Sequence, residues 1–553
     1  MQANKVPTMG FPGKRGDAGT DYDMIVVGGG ITGCGIARDA VLRGLKVALV
    51  EKNDFASGTS SRSSRLIHGG VRYLEHGYVH LVFEASAERL RLLRLAPHLV
   101  RPLKFTWPVY RGDRVPFWKV AAALTLYDLL ALFRNVGRRR LLSAGWVKRE
   151  QPGLLGEGLV AGATYYDAST DDTRLTLAVA MDARDRGAVL LNHTEAVRIV
   201  IEHDRAVGIE ALDVLTGAST TLRAPMIVNA SGPWSDAFRS LEGVTGRAKI
   251  QGSKGVHIAV PRGRIANRGA LTLLSPTDGR VMFVLPCDSQ TIIGTTDTYT
   301  TATPDTVRAT EADVEYLLAA ANHFFPAAKL QRGDVISAWA GIRPLAASDT
   351  GNPVAASREH VISVTPAGVT TITGGKLTTF RIMAAQTVDV ALREAGRAVT
   401  LSKTASVPIG WAAPRTPRDI APLQIAIADA YRGAGRDSRV ARMVIRYGSK
   451  WAEAMKVLDA SDQEAARIHP DHTYRFADLR FACDHEAART LGDLLIRRTH
   501  LAFERQDNAR SIARPVAEYV APLLGWSPGD IATHLDLYER EVENMFGIDA
   551  GAG

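Results

Sequence analysis

The chain has 553 residues, 46% of them hydrophobic and 7% aromatic, which is enough to build two or three packed domains. Its three cysteines (Cys34, Cys287 and Cys483) show no CxxC or Cys/His ligand spacing, so we expect neither a disulfide framework nor a metal site, and a reducing cytoplasm is the simplest compartment. The net charge of +9 suits an anionic partner, but without zinc-finger spacing or an RNP-like aromatic pattern we expect no nucleic-acid binding.

The N-terminal residues 1–20 are rich in Gly, Pro and basic side chains and contain no apolar stretch. They do not resemble a secretory signal or an anchor, and we expect a disordered tail. The most apolar internal window, residues 117–133, contains Lys119 and Asp128. Because it falls short of the roughly 20 apolar residues that a spanning helix needs, we predict that no segment crosses a bilayer.

The first regular elements form a predicted βαβ unit. An apolar run at residues 23–27 predicts a buried strand, and residues 31–43 predict a helix that ends at Gly44. Residues 46–50 then predict a second, parallel strand. This order of elements is typical of the start of a nucleotide-binding domain.

A GxGxxG pattern joins the first strand to the helix through Gly28, Gly30 and Gly33. The missing side chains permit a tight turn, close approach of a pyrophosphate and tight packing of helix on strand. Glu51 follows the second strand, where a carboxylate can accept hydrogen bonds from a ribose. We therefore predict a dinucleotide site here; the alternative is a glycine-rich turn that binds nothing.

A hydroxyl-rich run, SGTSSRSS at residues 57–64, follows this unit. Its hydroxyls and backbone N–H groups suit a second flank of the pyrophosphate, although a solvated loop gives the same pattern. The side chains that we assign to the cofactor on this basis are Thr59, Ser60, Ser61 and Ser64.

The rest of the chain predicts two interleaved sheet systems and a helical end. Short apolar runs at 189–191 and 226–228 are typical of a parallel sheet. Three runs with antiparallel character follow, at 271–274, 281–285 and 291–294. After a Pro/Gly/Ala-rich stretch near residue 400, helical patterns dominate, for example at 420–431 and 486–501. We divide the chain into a tail (1–20), interleaved cofactor and cap domains (21–400) and a mainly helical C-terminal domain (401–553).

Several motifs resemble those of FAD-dependent glycerol-3-phosphate dehydrogenases. They are RLIHGGVRYLEHG (65–77), NASGPW (229–234), KGVH (254–257), IGTTD (293–297), GIRPL (341–345) and GGKLTTFR (374–381). The resemblance implies an α/β fold in which a Rossmann-like FAD-binding domain is interleaved with a mostly antiparallel sheet that caps the flavin. One departure is Val256, where the family commonly has serine.

The resemblance also implies that FAD is the cofactor and sn-glycerol 3-phosphate the substrate. A buried phosphate dianion requires fixed cations, and the implied substrate-binding residues are Arg72, Tyr73, Arg343 and Arg358. Further cofactor-binding positions implied in this way are His68, Gly69, Val197, Gly232, Lys376, Leu377 and Thr378. For each arginine the alternative is a structural or surface ion pair.

Oxidation at C2 requires a base for the hydroxyl proton and a group that stabilises the charge on the reduced ring. His257 is our first choice for the base, because an imidazole can accept a proton near neutrality, and His68 is the competitor. Lys376 is the candidate for holding the substrate or the negative charge near flavin N1, and Arg343 for stabilising the alkoxide. The alternative for His68 is a core histidine bonded to backbone, and the alternative for Lys376 is a lysine that points to solvent.

The electron acceptor implied by the resemblance is a membrane quinone, with an oxygen-using oxidase as the alternative. Basic residues flank the apolar window at 117–133, which favours an anionic lipid surface, although a core helix has similar ends. We expect a cytoplasmic protein bound peripherally to the inner face of the membrane. The oligomeric state stays open, with a homodimer as the candidate, and a flavin-binding regulatory protein without turnover is the alternative from another class.

Overall fold

The computed structural model describes residues 20–131, 137–243, 250–346, 359–410 and 438–550. All of the predicted tail except Thr20, the predicted helix at 420–431 and the predicted substrate ligand Arg358 lie outside these ranges. Arg72 lies inside them, in a 3-10 helix at Val71–His76, but its side chain is outside the description.

A six-stranded sheet, called here the parallel sheet, contains the predicted βαβ unit. In spatial order its strands are His360–Val364, Thr370–Gly374, Met226–Asn229, Met24–Val27, Val47–Val50 and Val189–Leu191. All neighbours run parallel except the first two strands, which form a hairpin. The four strands from Met226–Asn229 to the edge strand Val189–Leu191 are short apolar runs, as the sequence predicts for a sheet covered on both faces.

Three helices cover one face of the parallel sheet and form its core. They are Ile31–Leu42, Asp172–Asp185 and Phe380–Glu394. The other face is covered by a four-stranded sheet, whose strands are Thr20–Asp21, Ser219–Arg223, Arg205–Asp213 and Thr194–Glu202. The carboxyl ends of the central strands stay open, and ligands bind at this edge in doubly wound folds.

A second large sheet, called here the cap sheet, is antiparallel except for one parallel pair. Its strands in spatial order are Thr298–Tyr299, Ile250–Pro261, Gln290–Gly294, Val281–Cys287, Ala270–Leu274, Arg101–Tyr110, Leu159–Ser169 and Leu66–Ile67, with Ser337–Ala346 and Arg140–Ser143 paired at its sides. The predicted interleaving of two sheet systems, and with it the predicted fold class, is confirmed.

The remaining helices lie mostly on the cap sheet and at the C-terminal end. They are Val79–Leu95, Phe117–Leu130, Ala144–Glu150, Ser235–Ser240, Arg262–Ile265, Glu311–Phe324, Ser438–Tyr447, Trp451–Leu458, Asp462–Ala465, Phe476–His485, Leu501–Glu504, Arg510–Leu524 and Pro528–Phe546. A two-stranded parallel sheet joins Ala309–Thr310 to Ile548–Asp549. One continuous apolar cluster combines cap-sheet residues such as Phe105 and Trp339 with C-terminal residues such as Leu495 and Val516, so the C-terminal helices and the cap share a core.

The predicted helix at 486–501 is not one regular α-helix. A π-helix occupies Asp493–Arg498, and the left-handed backbone at Ala487 and His500 bounds it on both sides. Periodicity alone could not reveal the π-helix. Its turn places Arg497 and Arg498 together against Asp54 of the parallel-sheet domain, which is a contact between distant segments. Among the described residues, no helix is long and apolar enough to span a membrane.

Candidate active site

A cavity of ≈490 Å³ opens at the carboxyl edge of the parallel sheet. The predicted cofactor residues that line it are Gly28, Gly30, Glu51, Thr59, Ser60, Val197, Gly232, Lys376 and Leu377. It lies where doubly wound sheets bind nucleotides and has the size of a cofactor site. We call it the cofactor cavity.

The glycine turn has the close contacts that a nucleotide loop requires. Gly28 has φ +111°, and an added Cβ would lie 2.6 Å from the carbonyl oxygen of Ala230. A Cβ on Gly33 would lie only 1.9 Å from the carbonyl oxygen of Gly28, so the helix can approach the strand only with glycine there. Gly30 borders the cavity, directly before the N-terminus of the helix Ile31–Leu42. Backbone N–H groups of this terminus suit a pyrophosphate.

Glu51 lies at the other side of the turn, where a ribose is expected. Its Oε2 accepts a hydrogen bond of 2.6 Å from the Gly29 N–H, and its Oε1 accepts one of 2.9 Å from the Asn53 N–H. These bonds fix the carboxylate on the wall of the cavity, while burial raises its pKa. A fixed carboxylate with remaining lone pairs fits a ribose hydroxyl.

The hydroxyl run divides between two tasks. Thr59 and Ser60 line the cofactor cavity, and the Ser60 Oγ accepts a hydrogen bond of 2.9 Å from the Ile31 N–H. Ser61 is buried, donates to the Gly58 carbonyl at 3.3 Å and does not line the cavity. Ser64 lies farther along, 2.8 Å from the Nε2 of His257. Only the first half of the hydroxyl run, residues 57–60, therefore lines the cofactor cavity, because a 3-10 turn at Thr59–Ser61 redirects the chain.

A second cavity of ≈210 Å³, called here the substrate cavity, adjoins the first. The two share seven lining residues, Ile31, Thr59, Ser60, Pro344, Gly375, Lys376 and Leu377. The substrate cavity also brings together the predicted residues Ser64, His68, Tyr73, His257, Arg343 and Thr378. Cofactor and substrate candidates from distant parts of the sequence thus meet at one junction.

His257 occupies the strand Ile250–Pro261 and is 3% exposed. Its ring stacks on Trp339 with centroids 5.6 Å apart and planes at 13°. Burial first, and then the positive charges of Arg343 and Arg65, lower the pKa of His257 to about 3. The imidazole is therefore neutral at physiological pH, as a base must be, although it does not titrate near neutrality as the sequence suggested.

Arg343 extends over Gly255, where any Cβ would lie 2.3 Å from its Nη2 atom. Its Nη1 forms an ion pair of 3.2 Å with Asp297, and its Nη2 donates to the Thr295 Oγ1 at 3.0 Å. Asp297 also accepts a hydrogen bond from Ser253. The guanidinium is thus held in one orientation on the wall of the substrate cavity, beside His257.

Lys376 and Tyr73 face each other across the junction. The Lys376 Nζ lies 3.8 Å from the centroid of the Tyr73 ring. Thr378 bonds both the N–H and the carbonyl of His68, at 3.1 Å each, and so joins the GGKLTT segment to the loop before Tyr73. A cation, a phenol and a hydroxyl therefore share one end of the cavity.

Gly69, which the resemblance assigns to the cofactor, lies in packed protein. Its N–H donates to the Tyr127 Oη at 2.9 Å and to Asp167 Oδ1 at 3.2 Å, and it lines neither cavity. A Cβ there would lie 2.4 Å from that Tyr127 oxygen. The glycine serves close packing behind the active-site loop, because the buried Tyr127 occupies the space that a side chain would need.

Sequence reasoning missed three contributors to the site. Asp297 and Thr295 hold Arg343, and Trp339 supports the His257 ring. Asp297 and Thr295 stand in the motif IGTTD, which was the only signal for them. Trp339 had no sequence signal, because its position follows from register, where His257 pairs with Trp339 across two antiparallel strands.

Comparison with known proteins agrees with this geometry. Residues 23–381 match the family model described as FAD dependent oxidoreductase, and residues 403–531 match the C-terminal domain of alpha-glycerophosphate oxidase. Glycerol-3-phosphate dehydrogenase 2 of Mycobacterium tuberculosis is 39% identical over 94% of this chain and 88% of its own length. The chain belongs to the family of FAD-dependent glycerol-3-phosphate dehydrogenases.

Other members of this glycerol-3-phosphate dehydrogenase family are similar over the same span. The mitochondrial enzyme of Mus musculus is 36% identical over 92% of this chain and 71% of its own length. The crystal structure of the Bacillus halodurans enzyme, complexed with FAD, has a TM-score of 0.76 at 30% identity and covers 95% of each chain. The predicted resemblance and the predicted FAD cofactor are confirmed by this membership.

Proposed function

We propose that this chain oxidises sn-glycerol 3-phosphate to dihydroxyacetone phosphate and passes the electrons from FAD to a membrane quinone. The observation that carries the proposal is the junction of the two cavities, where the cofactor cavity meets His257, Arg343 and Lys376. Relatives that match the chain over nearly its whole length carry the name glycerol-3-phosphate dehydrogenase.

The chemistry of the residues around the cofactor cavity fits FAD. Gly28, Gly30 and Gly33 would admit the pyrophosphate, and Glu51 would accept from the ribose. The others that we assign are Thr59, Ser60, Val197, Gly232, Lys376, Leu377 and, beside the ring, Thr378 and His68. When bound, the flavin supplies the acceptor for a hydride from C2.

Arg343, Tyr73 and Lys376 would hold the substrate beside the ring. The orientation of Arg343 by Asp297 supports a fixed contact with an anionic or developing alkoxide oxygen, because an oriented guanidinium needs little rearrangement on binding. Lys376 would stabilise negative charge at the junction, since it lines both cavities. Arg72 and Arg358 stay proposed phosphate ligands on sequence grounds.

His257 would take the hydroxyl proton. Its neutral state and its burial on the cavity wall suit a proton acceptor, and a dianionic substrate would offset the positive charge of Arg343, which disfavours the protonated ring. His68 lines the same cavity and stays the competing candidate.

The helix Phe117–Leu130 supports a membrane-bound acceptor. It buries Val120, Leu124 and Tyr127 but leaves Trp118 66% and Leu129 52% exposed. Exposed aromatic and aliphatic side chains beside basic residues favour shallow insertion into an anionic surface. We therefore propose peripheral binding to the inner face of the cytoplasmic membrane; a homodimer remains a proposal on sequence grounds.

An oxidase is the second candidate, since residues 403–531 match a domain described from alpha-glycerophosphate oxidase. Turnover of glycerol 3-phosphate in air, with and without a quinone carried by anionic vesicles, tests both. A dehydrogenase reduces the quinone and forms hydrogen peroxide at less than about a tenth of that rate, whereas peroxide in step with substrate use would establish the oxidase. No turnover with either acceptor would favour a regulatory flavoprotein.

A further inference from the structure

We propose that Ser64 is a catalytic residue that relays the hydroxyl proton of the substrate to His257. This inference rests on the proposed function and deepens it. Ser64 lines the substrate cavity but not the cofactor cavity, so the structure favours a task at the substrate over the cofactor contact that the sequence suggested.

The hydrogen bond between the two side chains determines which path the proton can take. Ser64 Oγ and His257 Nε2 are 2.8 Å apart. A neutral imidazole nitrogen that accepts a hydrogen bond has a single lone pair for it. In the tautomer that carries its proton on Nδ1, Nε2 accepts from Ser64. A substrate hydroxyl cannot donate to the same lone pair, and its shortest path to the ring is then through the serine oxygen.

The remainder of the imidazole is closed. One face of the ring stacks on Trp339, and the Nδ1 atom is buried with no hydrogen-bond partner among the residues that the structure describes. Only 3% of His257 is exposed. The substrate hydroxyl can therefore approach the base at the ring edge that carries Nε2, where Ser64 lies.

Ser64 is also held in place. The neighbouring Ser63 donates its hydroxyl to the buried Asp172 at 2.6 Å and accepts from the Arg65 N–H at 3.0 Å. These bonds fix the backbone on both sides of Ser64. A relay needs such fixed oxygen and nitrogen positions, because proton transfer requires hydrogen-bond distances.

The proposed step balances in protons and electrons. The substrate O–H bond breaks and its proton passes to the Ser64 oxygen, while the Ser64 proton passes to His257 Nε2. The C2–H bond breaks as a hydride, whose two electrons a bound flavin would accept. The C2–O bond becomes a carbonyl, and the serine ends as the neutral hydroxyl that it was.

The test measures anaerobic flavin reduction by glycerol 3-phosphate in rapid-mixing experiments. In Ser64→Ala we expect the limiting rate to fall about 10²- to 10⁴-fold, the usual contribution of a positioned acid–base group. Substrate affinity, from the concentration dependence of the rate, and FAD content should stay within about threefold. Ser64→Thr retains a hydroxyl and should recover to within about tenfold of the wild type.

A proton inventory in mixtures of H₂O and D₂O provides a readout that a packing role would not change. Two moving protons give a bowed dependence in the wild type, and Ser64→Ala should give a straight line. Ser406→Ala is the control, because it removes an exposed hydroxyl, bonded to the Lys403 carbonyl and outside both cavities, and should keep the bowed line.

Three results would overturn the relay: a straight inventory in the wild type, a wild-type reduction rate in Ser64→Ala, or Ser64→Thr as slow as Ser64→Ala. If glycerol 3-phosphate does not reduce the wild-type flavin at all, the proposed function is refuted, and the relay with it. The wild-type inventory needs no variant, so poor folding of Ser64→Ala leaves the test intact.

Discussion

Arg343 and Asp297 form an ion pair across the wall of the substrate cavity, with 3.2 Å between Nη1 and Oδ1. The pair is mostly buried, with 22% of the Arg343 side chain and 11% of the Asp297 side chain exposed. Partly buried pairs restrict side-chain rotation more than they stabilise the fold. We interpret Asp297 as the residue that orients Arg343 toward the substrate.

The first prediction concerns Arg343 itself. Arg343→Ala should raise the apparent KM for glycerol 3-phosphate by about 100-fold or more, because a charge-assisted contact to an anion is lost. FAD content should not change, since Arg343 lines the substrate cavity and not the cofactor cavity. Steady-state kinetics and the flavin absorbance of the purified protein measure both. Arg332→Ala, which removes an exposed arginine paired with Glu311, is the control. Loss of flavin with unchanged kinetics per holoenzyme would refute the assignment.

The second prediction concerns the cofactor turn. Gly33→Ala places a Cβ 1.9 Å from the Gly28 carbonyl oxygen, and backbone cannot move aside without opening the turn. We expect FAD affinity to fall by at least about 100-fold, measured by titration of the apoprotein. Gly145→Ala is the control, because a Cβ there meets no atom within 4 Å. Equal FAD affinity in the two variants would contradict the geometry of the turn.

The sequence predicted the parts of this site that depend on local geometry. A GxGxxG turn and a following acidic residue need only the order of strand, helix and strand, and Gly28, Gly33 and Glu51 lie where this order places them. Side-chain direction is harder to infer, because it depends on the turn that the chain adopts. The hydroxyl of Ser61 in the hydroxyl run and the backbone N–H of Gly69 in the motif at 65–77 both bond to packed protein.

Contacts between distant segments could not be predicted. Ser64 and His257 are 193 positions apart, and Asp297 and Arg343 are 46 apart. Each pair depends on strand register and on how the cap sheet meets the loop after the βαβ unit. A single sequence does not show which distant segments come into contact. It therefore predicted these site residues but not their partners.

The third prediction concerns the C-terminal π-helix. Arg498 contacts Asp54 through two hydrogen bonds of 2.5 and 3.0 Å, and neither side chain is more than 1% exposed. Asp54 follows Glu51 by three residues, so this pair supports the loop that carries Glu51. Arg498→Met should lower the free energy of unfolding by about 3 kcal/mol, because a buried carboxylate loses a partner.

The affinity of Arg498→Met for FAD should also fall, by about tenfold, if the loop at Glu51 depends on the Arg498–Asp54 pair. Urea unfolding and FAD titration measure the two effects. Arg510→Met, which removes a surface ion pair with Glu539, should change the free energy of unfolding and the FAD affinity by little. An Arg498→Met protein as stable as the wild type would show that Arg497 alone can hold Asp54.

The fourth prediction concerns pH. Burial lowers the pKa of His257 to about 3, against about 6.5 in an unfolded chain. Between these values the unfolded state binds more protons, so the contribution of His257 to stability is present above pH 6.5 and is lost as pH falls toward 3. From pH 7.5 to pH 5 the loss is about 2 kcal/mol.

His257→Gln removes this contribution while retaining a polar side chain beside Ser64. Its unfolding free energy should therefore fall less between pH 7.5 and pH 5 than that of the wild type. Other titrating groups are common to both proteins, including His98, whose pKa burial also lowers to about 3. Identical pH dependence in the two proteins would mean that His257 is protonated in the folded state at pH 5.

The central claim is that an anionic alcohol meets a flavin at the junction of the two cavities. Anaerobic titration of the purified holoprotein with glycerol 3-phosphate tests this most directly. We predict that the oxidised flavin absorbance is lost in proportion to added substrate and that the same concentrations of glycerol, which lacks the phosphate, leave it unchanged. A flavin that stays oxidised in the presence of excess glycerol 3-phosphate would contradict the account.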